Sequence, residues 1–223
     1  MTFDATVSRI LGRAQPGLHV DRSVLDALMR ERPKPEALVT LLAVTDPATV
    51  RAAVLYLGLY GTVRESAVLV LCLQHEDAGV VQLAEQCLWA LWMQGGSEAG
   101  NQRLVQAVGH MQSGDHKTAI EVLNCLISQE PGFAEAHFQR GLALCSADQP
   151  DEAVKEYRLT LRLNPYHFGA AAALGHSCVE QGNLQRALHY YRQALRIHPH
   201  LEDVPDAIHE LESAISSHHG HHA

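Results

Sequence analysis

A chain of 223 residues, 47% of them hydrophobic, has ample apolar surface for a packed core, which excludes a disordered class. The net charge is −8 and no block of Lys and Arg runs anywhere along the chain, so a nucleic-acid grip, which needs a concentrated basic face, is not expected. No apolar run reaches the ~18 residues of a membrane span, so membrane insertion is not expected either. The opening MTFDATVSRILGRAQPG also lacks the basic-then-apolar pattern of a signal peptide. Five cysteines (Cys72, Cys87, Cys125, Cys145 and Cys178) are odd in number, widely spread and without a Cys-x-x-Cys pair. Set among apolar neighbours, they read as small hydrophobes in a reducing interior, and a cytoplasmic protein is expected.

Residues 3–14 carry Val7, Ile10 and Leu11 at helical spacing, and residues 21–30 carry Val24, Leu25 and Leu28 on one face. Both helices are too short to stand alone, so 1–33 is expected to cap the N-terminal end of the helices after it. The next stretch, 34–98, repeats with a step of 31. Leu38 recurs as Leu69, Leu42 as Leu73, Asp46 as Asp77, Val50 as Val81, Ala53 as Ala84 and Leu57 as Leu88. The Asp before Pro47 can cap free backbone N–H groups, and Pro is tolerated at the first helical position. The first copy, EALVTLLAVTDPATVRAAVLYLGLYG, resembles a HEAT-type repeat of the short PBS-lyase-like class: apolar helix, Asp turn, Val-Arg, then an Ala/Leu helix ending in Leu-Gly. The second copy has Gln82 where the first has Arg51 and Trp89 where it has Gly58, so the Asp–Arg ladder of that family is expected to be incomplete.

Gly95-Gly96-Ser97 breaks the pattern. Leu104 nevertheless lies 31 residues after Leu73, and two units fall short of the ~3 usually needed for a continuous core. The helix expected over 101–113 would thus end one array and begin the next, with the glycines as a turn inside one superhelix.

From residue 99 to 199 the step becomes 34. Pro131, Pro165 and Pro199 keep it, as do Ala119, Ala153 and Ala187; Leu123, Tyr157 and Tyr191; and Ala107, Gly141 and Gly175. Small, aromatic and proline positions recurring at 34 identify paired helices of the tetratricopeptide kind. Helices are expected over 101–113, 116–129, 134–147, 151–163, 168–181 and 184–197. Gly114-Asp115 and Gly182-Asn183 are the turn signals. The third unit is most similar to the family. All three units depart from its usual Trp, with Arg103, His137 and Ala171 there, and from its later Tyr, with His110, Leu144 and Cys178. Residues 203–216 place Val204, Ile208, Leu211 and Ile215 on one stripe, as in the solvating helix (200–217) that ends such arrays, and 218–223 reads as a disordered His-rich tail. The fold class expected is all-α, a right-handed α-solenoid of antiparallel helix pairs.

The resemblance implies a concave groove lined by the first helix of each pair. Its positions here are Leu104, Val108 and Met111, with Asn101 and Gln112; Glu135, Phe138, Leu142 and Cys145, with Ser146; and Ala172, His176, Val179 and Glu180, with Gly169. Chaperone-binding relatives hold a terminal carboxylate there with Lys, Arg and Asn. This chain has Leu104, Val108, Gln139, Gly169 and Ala173 instead, so the carboxylate-clamp partner is not expected. The groove is either a trough for an amphipathic or apolar peptide or is filled by the chain itself.

Other candidates carry weaker chemistry. His218, His219, His221 and His222 could bind a metal, but a tail lacks the supporting bonds of a built site, and neither metal nor cofactor is expected. Cys72, His75 and Glu76 share a helical face, Trp89 and Trp92 are either a hot spot or core, and no HExxH, P-loop, GxSxG or GxGxxG motif is present. The expected function is therefore a non-enzymatic adaptor. It would bury a partner's apolar side chains against Leu104, Phe138, Leu142 and Val179, with Glu135 and Glu180 selecting a basic flank. The alternative is a dedicated secretion or assembly chaperone shielding one client.

Overall fold

A computed structural model describes residues 19–220, for residues 35, 36 and 218–220 the backbone only. The expected helix over 3–14 lies outside the described residues. Those described form helices and turns without a strand, in two compact units that divide at Gly95–Gly96.

The first unit contains α1 (Arg22–Glu31), α2 (Pro35–Leu42), α3 (Pro47–Tyr60), a 3-10 turn (Val63–Glu65), α4 (Ser66–Cys72) and α5 (Ala78–Trp92). The 31-residue step has a visible cause. Asp46 and Asp77 are both N-caps, accepting from Ala48 and Thr49 N–H and from Val80 N–H. Such caps satisfy orphan donors and contribute about 1 kcal/mol each. Behind them the recurring positions fill the core: Leu38 and Leu69, Val50 and Val81, Ala53 and Ala84, Leu57 and Leu88 are all buried. Among the described residues a single rung of an Asp–Arg ladder is made, Arg51 to Asp77 at 2.7 Å, while Arg51 Nε also donates to the His19 carbonyl. Trp92 is core, donating to Ser66 Oγ at 3.0 Å with Trp89 edge-on to it.

The second unit contains α6 (Glu98–Gln112), α7 (His116–Gln129), α8 (Ala134–Ser146), α9 (Pro150–Leu163), α10 (Phe168–Glu180), α11 (Leu184–Ile197) and α12 (Asp203–Gly220). Short connections fold consecutive helices back on each other as pairs α6–α7, α8–α9 and α10–α11, an α-solenoid arrangement. The turns inside the pairs need a left-handed residue. Gly114 (φ 79°) and Gly182 (φ 70°) supply it, and Asp148 (φ 59°) does so in the middle pair. Asp115 and Asn183 then cap α7 and α11.

The pairs close on a small-against-large contact that repeats with the 34-residue step. Tyr157 lies over Gly141 and Tyr191 over Gly175, so near that a Cβ on either glycine would sit 2.4 Å from the ring. Ala107 and Leu123, both fully buried, take these places in the first pair. α12 covers the last pair as expected. Val204 and Leu211, with Ile208 and Ile215, pack on Cys178, Ala187, Leu188 and Tyr191.

Two boundaries differ from expectation by three or more residues. α6 starts at Glu98, not 101, because Ser97 caps it and is itself held by Glu130. The carboxylate accepts from Ser97 N–H (2.9 Å) and Oγ (2.5 Å), and those bonds hold it below its ordinary pKa. α12 continues to Gly220, past 216 and into the stretch expected to be a tail. The side chains of His218 and His219, and all of His221 and His222, lie outside the described part of the chain.

Candidate functional site

The first helices α6, α8 and α10 carry the residues expected to line a groove, and the structure divides them into two groups. Leu104, Glu135 and Phe138 are buried within the unit and are not available to a partner. This corrects the expectation for those three, and the reason is packing between consecutive pairs. Phe138 lies tilted against His167 (centroids 4.3 Å apart) and near Tyr157 (6.0 Å). Glu135 has no exposed side-chain surface and takes the Nε2–H of the equally buried His167 at 3.1 Å and the Gln139 amide at 2.7 Å. The His167 tautomer is set by its other side, where Nδ1 accepts from Ala170 N–H and so caps α10. Glu135 is therefore a structural carboxylate that joins the second pair to the start of the third.

The second group is accessible. Val108, Met111, Leu142 and Ala172 are half-buried, and Cys145, His176, Val179 and Glu180 are exposed, Val179 at 38%. Val105, outside the set expected from the sequence, is 52% exposed and shares a helical face with Val108 and Gln112. Its signal was available, since an apolar residue three positions before another on one face extends the same stripe. Asn101, Gly169, Gln112 and Ser146 also keep surface. The accessible apolar residues of these first helices include Val105, Val108, Leu142 and Val179, and the exposed carboxylate Glu180 follows Val179 on α10.

Its electrostatics are set by burial beneath and Glu180 beside. Burial, then the Glu180 charge, raises the pKa of the Cys145 thiol. Burial, then Cys178 and Glu180, pushes the Tyr191 phenol up to about 12, and Tyr157 is raised for the same kind of reason. The Tyr191 hydroxyl is 2.8 Å from His176 Nδ1, which fixes that imidazole at the edge of the face. Lower down, burial opposes the charge of Glu156, but hydrogen bonds from His137 (2.8 Å) and Arg140 (2.7 Å) outweigh it and hold its carboxyl below the ordinary value. His137 stands where the family Trp is usual, and it joins α8 to α9 by polar bonds instead of aromatic packing.

The Cys72 constellation does not form a thiol–imidazole pair. Cys72 is buried, its thiol pushed up to about 12 by desolvation, and Sγ points to the Val68 carbonyl at 3.8 Å. His75 Nδ1 instead accepts from Asp77 N–H. A buried thiol of this kind is inert at neutral pH. Among the described residues no cluster of three or more His, Cys, Asp or Glu could hold a metal ion, and no helix is long and apolar enough to cross a membrane.

Paired helices, left-handed turns and aromatic-over-glycine closure define a helical-repeat protein. Two models of the tetratricopeptide repeat family match residues 104–168 and 169–201, and this stretch is made of tetratricopeptide repeats. Among solved structures, the first such domain of Spaghetti (RPAP3), bound to the HSP90 peptide SRMEEVD, is similar with a TM-score of 0.52 and 16% identity. That match covers 54% of this chain and 96% of that one. The Sgt2 domain from Aspergillus fumigatus gives 0.51 and 14% over 55% and 83% of the two chains. The Yersinia enterocolitica type III secretion chaperone SycD, in complex with a peptide of the translocator YopD, gives 0.50 and 15% over 53% and 96%. These likenesses establish the fold. No curated protein matches the sequence.

Proposed function

We propose that the chain is a non-enzymatic protein-interaction adaptor whose partner presents an apolar or amphipathic segment to the first-helix face of residues 98–180. The observation that carries this reading is the accessibility of the apolar side chains Val105, Val108, Leu142 and Val179 on the first helices, with exposed Glu180 next to Val179. Apolar side chains of a helix or extended peptide would bury there, each worth about 1.5–3 kcal/mol when fully enclosed. Glu180 would favour a basic residue beside them. A terminal carboxylate finds no cation at positions 104, 108, 139, 169 or 173, so a tail of the kind bound by the Spaghetti domain is not the expected ligand.

The second reading is a dedicated chaperone for one client, favoured by the same apolar face and by the SycD likeness, since that protein is seen with a peptide of its translocator. A single stoichiometric client would support it, and several substoichiometric partners would support a general adaptor. We also infer that 34–98 consists of HEAT-like pairs, supported by the Asp46 and Asp77 caps and the Arg51–Asp77 bond.

Capture from a lysate of the native organism tests the face. Leu142→Glu and Val179→Glu should each keep the helical circular dichroism and lose the partners that the parent chain retains. Capture unchanged in both would place the binding surface elsewhere. Phe138→Glu is unsuitable for this test, because Phe138 is 6% exposed and its replacement would disrupt the unit.

A further inference from the structure

The second helices carry a feature that the apolar face does not use. Lys155, Arg158 and Arg162 stand at i, i+3 and i+7 on α9 and so share one side of it. The helix α11 contains no acid. Between the two helices opens a cleft of about 510 Å³. The three α9 bases form one wall, Tyr190 and Gln193 of α11 the other, and Leu161 and Leu174 the floor.

Three cations of the unit have ion-pair partners among the described residues. Lys155 pairs with Glu152, Arg192 with Glu212 and Arg140 with Glu156. Among the described residues, no carboxylate lies within ion-pair distance of Arg158 or Arg162. Two uncompensated guanidinium groups at an apolar-floored cleft, in a chain of net charge −8, form a local reversal of the overall field. Guanidinium forks hold carboxylates in paired, directional hydrogen bonds. The Tyr190 hydroxyl and Gln193 amide add polar contacts, and the Leu161–Leu174 floor suits one inserted apolar side chain.

We propose that the α9–α11 cleft is a second docking site, for an acidic segment of another protein that carries one apolar or aromatic side chain among its carboxylates. The volume fits a side chain and its neighbours, not a whole helix. A nucleic acid is disfavoured because its charge continues past the few bases of the cleft onto the acidic remainder of the chain. The first-helix face takes apolar, base-flanked segments and the second-helix cleft takes acidic ones, so the chain can hold two partner segments of opposite charge at once.

Fluorescence anisotropy on the full chain tests this with a labelled Glu-rich peptide bearing one central Leu and with its Gln-substituted counterpart. The Glu peptide should bind at least about tenfold more tightly than the Gln peptide, and salt should weaken it. Arg158→Gln and Arg162→Gln should each cost about tenfold in affinity, while Lys117→Gln on α7 leaves it unchanged. Both arginine side chains are exposed, so circular dichroism of the variants should match the parent. Three results would overturn the proposal. These are equal affinity for the two peptides or in the arginine variants, tighter binding of a single-stranded DNA oligonucleotide through the same arginines, or self-association of the chain that the arginine variants abolish.

Discussion

Glu135→Ala is expected to destabilise the second unit by about 1–3 kcal/mol, read as a fall in the urea midpoint followed by circular dichroism. The change leaves His167, fully buried and donating through Nε2, without its acceptor, and it frees the Gln139 amide as well. Removing one member of an enclosed pair costs far more than the pair contributes, because the survivor remains desolvated. Glu180→Ala on the exposed face should shift stability by less than about 0.5 kcal/mol. A near-neutral Glu135→Ala would mean that this carboxylate faces solvent, as its groove position in the sequence suggested.

A second large effect belongs to the aromatic-over-glycine contact. Tyr191→Ala should cost about 3–5 kcal/mol, since the ring is 1% exposed and its removal opens a cavity against Gly175. Gly175→Ala should cost about 1–3 kcal/mol, because the new Cβ meets the ring at 2.4 Å and two packed helices must part. The pair must then be non-additive: in a Tyr191→Ala background, Gly175→Ala should cost little or stabilise, having no ring to strike. Gly109→Ala, where an added Cβ meets nothing within 4 Å, should instead stabilise α6 by about 0.5–1 kcal/mol. Additive losses at 175 and 191 would break the packing account.

These contacts show which parts of the fold could be read from residues alone. The 34-residue spacing of Gly141 with Gly175 and of Tyr157 with Tyr191 is the footprint of one contact made twice, so periodicity pointed to it directly. The turns were equally legible at Gly114 and Gly182, where local backbone geometry demands glycine, and Asp148 carries the same geometry without that signal. Asp46 and Asp77 were legible because a cap acts on its own next few residues.

The features that were not legible depend on partners far apart in sequence. Glu135 read as a groove carboxylate because His167, 32 residues away, reaches it only once consecutive pairs have packed. The start of α6 was placed three residues late because Ser97 is held by Glu130, 33 residues on. The basic cleft was invisible as a block, since its Lys and Arg are interspersed with other residues along α9 and meet Tyr190 and Gln193 of α11 only in the folded unit. On α9 alone, the spacing of 155, 158 and 162 was the one available sign.

The central claim, that partners dock on the first-helix face, is tested most directly by photo-crosslinking in the native organism. Val179→benzoylphenylalanine places the probe on that face, and Glu121→benzoylphenylalanine places it on an exposed side of α7. A partner crosslinked from position 179 and not from 121, with the joined peptide apolar and base-flanked, is the predicted result. Crosslinks that arise from 121 but not from 179 would contradict it.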